Sequence, residues 1–234
     1  MSSDPRIESV PVNPADHPAA WEHPPTRRAW MGHMGMNVVG LIGWAVAWIG
    51  LLVVLVGLLS QSFIILFLPL LAYTMYRAVL QLLYFPAALR MRRILRVYPW
   101  QVVRSPTFGL AKHPKVHGKQ HGWFEFPNPA RPDQELALVF PHHMRTEWWN
   151  RRMAPRAKRE LQEQIEVIWF AGDPRFIGLI AAPTSDGLAP RRLHILRQQM
   201  RTERGLEVAA WGATAEDIER GRLAGSPPST VVSP

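Results

Sequence analysis

Two long apolar segments, residues 36–59 and 63–85, separated only by Ser60, Gln61 and Ser62, restrict what this chain can become. Crossing the ~30 Å hydrocarbon layer takes about 20 helical residues, and each segment supplies that length. Residues 36–59 carry no charge, and their fourteen Val, Leu and Ile residues sum to roughly −4 to −8 kcal/mol on the insertion scale. Residues 63–85 hold thirteen Val, Leu, Ile and Phe residues but also Arg77, whose burial at mid-bilayer costs about 2.5 to 3.5 kcal/mol. The apolar sum exceeds that cost, so the sequence predicts a transmembrane hairpin of two helices.

The flanks set an orientation. Arg27 and Arg28 precede the first span, Arg90, Arg92, Arg93 and Arg96 follow the second, and the turn has neither Lys nor Arg. The positive-inside rule then predicts a multi-pass protein of the cell membrane with both termini cytoplasmic. Anionic lipids attract each juxtamembrane cation by about 1 kcal/mol, so Arg90, Arg92, Arg93 and Arg96 are expected to contact lipid headgroups.

Each span carries a further pattern. Gly40, Gly43, Ala47, Gly50 and Gly57 recur at helical steps, a seam of small residues suited to close helix packing in lipid. It predicts a homo-oligomer or a complex with another membrane protein. On the second span Tyr73, Arg77, Gln81 and Tyr84 form an intramembrane polar stripe. Folding the hairpin about Gln61 sets Arg77 within a turn of Trp44 and Trp48, where a cation–π contact competes with snorkelling.

Around the hairpin the composition changes. Residues 1–29, rich in proline, read as a disordered tail rather than a signal peptide, because Asp4 and Glu8 stand where a basic leader belongs. Residues 30–96 are the hairpin with its basic juxtamembrane helix. In 97–201 short β-like runs at 100–104, 123–126, 135–140, 165–170, 176–182 and 192–198 predict a small cytoplasmic antiparallel β roll or barrel. A helix over 153–164 makes the domain α+β. Residues 202–234 read as a tail with one short helix, opened by a capping box at Thr214 and Asp217.

Chemistry-bearing constellations are sparse. The chain has no cysteine, which removes disulfides and thiolate metal sites. His113, His117 and His121 recur every four residues, but Pro114 and Gly118 oppose the helix that would align them. Met31, His33, Met34 and Met36 offer soft ligands without a specific spacing, and the adjacent His142 and His143 would point apart on a strand. Residues 142–159 interleave six cations with Trp148 and Trp149. Such a mixture suits a protein core, a headgroup surface or nucleic-acid bases, in that order. Carboxylates are scattered, and no phosphate loop or nucleophile motif occurs. No catalytic residue, cofactor, metal, small-molecule ligand or nucleic-acid partner is therefore expected.

The run Trp169-Phe170-Ala171-Gly172-Asp173-Pro174-Arg175-Phe176, after two spans and Val97-Tyr98-Pro99-Trp100, resembles two-span membrane-anchored proteins of high-GC Gram-positive bacteria. The likeness covers mainly residues 94–104 and 165–182 and implies only an anchored small β domain; it implies no function. The expectation is a non-enzymatic membrane protein whose cytoplasmic β domain serves protein contact or scaffolding. Alternatives are an accessory subunit of a transporter or secretion complex and an enzyme acting on a lipid-linked substrate.

Overall fold

The computed structural model describes residues 14–57, 61–116, 122–140, 146–199 and 208–226. His117, His121, His142, His143, Ser60 and the tail residues 1–13 and 227–234 lie outside these. The chain divides into two compact units, residues 28–92 and a second unit that joins the N-terminal segment up to Arg27 to residues 93–234.

Two helices supply the first unit, α1 (Pro24–Gly57) and α2 (Gln61–Val97). Proline is tolerated at the opening of α1, where its missing N–H has no helical partner. α2 runs through Pro69 and Pro86 and takes in the basic segment 87–97, which therefore continues the second apolar segment as one helix. Between residues 28 and 92, α1 buries or half-buries Asn37, Leu41, Trp44, Trp48, Leu51 and Leu55, and α2 does so with Phe67, Leu71, Thr74, Ala78, Gln81, Phe85 and Ala88. Both rows step alternately by four and three, the spacing that keeps a seam facing a neighbour in left-handed antiparallel packing. Trp30 Nε1 donates to the Ala88 carbonyl at 2.8 Å, pinning the open end of the hairpin.

The second unit is a seven-stranded sheet, antiparallel throughout, in the order β1-β5-β6-β7-β4-β3-β2. Its strands are β1 (Gln101–Arg104), β2 (Phe108–Gly109), β3 (Trp123–Asn128), β4 (Arg131–Val139), β5 (Val167–Asp173), β6 (Ile177–Pro183) and β7 (Pro190–Gln198). This corrects the roll or barrel. Closure would need β1 to pair with β2, and these consecutive strands instead end up at opposite edges of an open sheet. The helix expected over 153–164 is also corrected. α3 spans Glu147–Met153 and α4 spans Arg159–Gln162, with Ala154 extended between them because it precedes Pro155.

One face of the sheet carries Phe124, Phe126, Leu138, Ile168, Phe170, Ile180 and Leu196, closed over by Trp149 and Met153 of α3. Over β5 and β6 the opposite face is buried as well. Trp169, on that side by strand alternation, meets the His23 ring at 5.9 Å and the Trp100 ring at 5.7 Å. The segment 14–27 is therefore no free tail. It forms two 3-10 turns and the first turn of α1, its Ala20 N–H bonds the Tyr98 carbonyl at 2.9 Å, and Thr26 Oγ1 accepts from Trp100 Nε1 at 2.9 Å.

The C-terminal helix α5 (Ala215–Leu223) carries its capping box, with Asp217 N–H donating to Thr214 Oγ1 and Thr214 N–H to Asp217 Oδ2. It too belongs to the sheet unit. Arg175, in the β5–β6 turn, donates to Asp173 through Nε and Nη2, to the Gly212 carbonyl through Nη1, and pairs with Asp217 at 3.0 Å. Burial by itself would raise the Asp217 carboxyl, but the Thr214 bonds and the Arg175 charge hold it below the ordinary carboxylate value.

Candidate functional site

Residues 28–92 contain no Asp or Glu, and the outer surface of their two helices is apolar. Val56 is 84% exposed, Ile65 and Leu66 are 74% exposed, and Val39, Ile42, Val46, Ile49, Val53, Leu82 and Leu83 are exposed with them. The most apolar stretches have mean hydropathies of 2.5 and 1.5, yet only 6% and 11% of their residues are buried. A helix inside a soluble core would bury most of such a stretch. Both helices are long and apolar enough to cross a membrane.

Within this apolar unit Asn37, Thr74 and Gln81 are buried and Arg77 is half-buried, whereas Tyr73 and Tyr76 stay exposed. The Arg77 guanidinium lies 5.1 Å from the Trp44 ring centroid and 6.0 Å from that of Tyr73, and the Trp44 and Tyr73 rings meet edge to face at 5.7 Å. A desolvated cation–π contact is worth about 2 kcal/mol or more, which offsets most of the estimated 2.5 to 3.5 kcal/mol cost of an intramembrane arginine. Gln81, buried at the next turn, rests on Gly40, where a Cβ would stand 2.9 Å from its Nε2. Tyr84 is half-buried at the end of the stripe.

The seam behaves differently from a packing face between α1 and α2. Gly40 alone among its glycines meets a close neighbour, while Gly43, Gly50 and Gly57 have open space where a side chain would stand and Ala47 is exposed. Trp44 meets Tyr73 and Arg77 of α2, and Trp48 and Leu55 on the same row are half-buried and buried, whereas the small residues of the seam past Gly40 are exposed. Of the four basic residues after the second apolar segment, Arg92 lies 5.4 Å from the Trp30 ring and Arg96 5.7 Å from the Trp21 ring. Arg93 is exposed and Arg90 half-buried.

In the sheet unit His113 is buried against β3. Its Nδ1 accepts from Lys115 N–H, which leaves the proton on Nε2 to donate to Glu125 at 2.9 Å. Partial loss of solvent and the adjacent Glu125 carboxylate push the exposed Glu135 above the ordinary range. The residues that sequence reasoning misses are Arg191 and Arg192. They stand with Arg152 around Trp148, while Trp149 enters the core. The Arg-Arg pair after Pro190 was the available signal, but its partner lies more than forty residues away. No protein-family model matches the chain, and no curated protein or solved structure matches it.

Proposed function

We propose that the protein is an integral membrane protein in which α1 and α2 anchor the antiparallel sheet domain at the cytoplasmic surface, where that domain serves protein contact or scaffolding. The observation that carries this reading is a pair of helices with a largely apolar exterior from which Asn37, Thr74, Arg77 and Gln81 are withdrawn, the reverse of a soluble amphipathic hairpin. Arginines at the open end and their lack in the turn support cytoplasmic termini.

The outward seam Gly43, Ala47, Gly50 and Gly57 favours self-association, because small residues let a second backbone approach closely in lipid. Arg77 already has aromatic partners inside the hairpin, which weakens the reading as an accessory subunit that needs Arg77 for its partner. The test is the size of the detergent-solubilised protein by light scattering. Gly43→Leu with Gly50→Leu is expected to reduce an oligomer to the monomer; an assembly of unchanged size would remove the seam from the account.

A further inference from the structure

Neither the hairpin nor the packing of the sheet accounts for the cations around Trp148. This half-buried ring has the Arg152 guanidinium carbon 3.7 Å from its centroid and those of Arg191 and Arg192 each 5.9 Å away. Two independent observations mark the arrangement as built. Arg191 and Arg192 are adjacent in β7 and would point to opposite faces of a regular strand. They reach one ring because the β6–β7 register shifts between Ile180 and Ala182 and Arg192 adopts a φ of 56°, a left-handed conformation that costs any residue but glycine.

The second observation is charge. Among the described residues none of the three guanidiniums pairs with a carboxylate. Arg152 directs Nε and Nη2 to Gln164 Oε1 at 3.0 and 2.7 Å and Nη1 to the Trp148 carbonyl at 3.0 Å. Arg191 gives Nε to the Pro183 carbonyl at 2.9 Å, and both Arg191 and Arg192 are exposed. Burial together with Arg191, Arg192 and Arg151 holds Arg152 below its ordinary basicity, so these cations repel one another.

We propose that Trp148, Arg152, Arg191 and Arg192 form a binding site for a phosphate group, the chemistry common to an anionic lipid headgroup and a soluble phosphate ester. Guanidinium forks match phosphate oxygens two at a time, and a group bearing up to two negative charges relieves the repulsion that a single carboxylate would only halve. A nucleic-acid base fits less well, because Arg152 already occupies a face of the ring on which it would stack. The site does not depend on the hairpin being in lipid.

The test uses the full chain in two settings. In a neutral detergent it is titrated with inorganic phosphate and pyrophosphate by calorimetry. In nanodiscs of phosphatidylcholine with and without phosphatidic acid, hydrogen exchange is followed over residues 147–153 and 190–193. Saturable pyrophosphate binding assigns a soluble ester, and protection specific to phosphatidic acid assigns a headgroup. Either result is expected to weaken at least tenfold in Arg191→Gln and in Arg192→Gly. Arg192→Gly should also raise Tm by relieving its positive φ, which separates loss of ligand from loss of fold. Absence of an effect in both settings, indifference to both substitutions, or an oligonucleotide that pyrophosphate fails to displace would each overturn the proposal.

Discussion

Gly178 leaves the sheet no room for a side chain. A Cβ there would stand 2.2 Å from Phe170 Cε2 and 3.2 Å from Leu138 Cδ1, and Phe170 is itself stacked on Phe126 at 4.0 Å. Its cross-strand partner Gly172 has a φ of 150° and would place a Cβ 2.5 Å from the Ile177 carbonyl oxygen. Gly178→Ala is expected to cost about 2 to 3 kcal/mol by overpacking, read as a lower Tm with the sheet still formed. At this scale the sequence is legible where partners are near in the chain. Asp173 is recognisable as a turn residue beside Pro174, and it does accept the Arg175 N–H at 2.9 Å. That Arg175 then reaches Gly212 and Asp217 is invisible locally. So is the conformation of Arg192, which follows from a register shift between two strands rather than from its own neighbours.

Elements with a strong local pattern are read well from sequence. The β5–β6 hairpin and the capping box of α5 are two, and six of the seven strands lie within a few residues of the expected runs. The two-residue β2 is too short to leave a pattern. Segment 14–27 fails for another reason: its order comes from partners such as Trp100, 74 residues beyond Thr26. The proline-rich composition points to disorder, and burial against Trp100 and Trp169 overrides it. This docking should depend on pH. His23 is buried, its Nδ1 bonded to Thr26, and burial followed by the neighbouring His17 lowers its pKa below 6.5. A histidine held neutral in the folded state binds fewer protons than in the unfolded one, so its contribution is complete above about pH 6.5 and is lost as the pH falls through the lowered value. The protection factors of the amides over residues 14–26, taken against the intrinsic exchange rate at each pH, are expected to fall between pH 7 and 5, and His23→Gln should flatten that dependence. Unchanged protection across the range would contradict the role given to His23.

For the whole molecule, length and hydropathy foretell the two helices, whereas the sheet topology depends on pairings that no single run encodes. Among the described residues β4 meets β7 through Leu138–Gln198 and Val139–Arg197, and strand lengths alone cannot tell such a narrow junction in an open sheet from the seam of a barrel. The helix pair shows the same limit: small residues catch the eye as a packing seam, but it is the 4-3 row of Trp, Leu and Asn that is withdrawn from the surface, with Trp44 against Tyr73 and Arg77. The account rests on the hairpin lying across a bilayer with its turn outside. The absence of cysteine makes the decisive measurement simple: Ser60→Cys and Ser185→Cys, each alone in the chain, treated with a membrane-impermeant maleimide in intact cells. The account requires labelling at residue 60 without lysis and at residue 185 only after it. Labelling of both, or of neither, before lysis would contradict it.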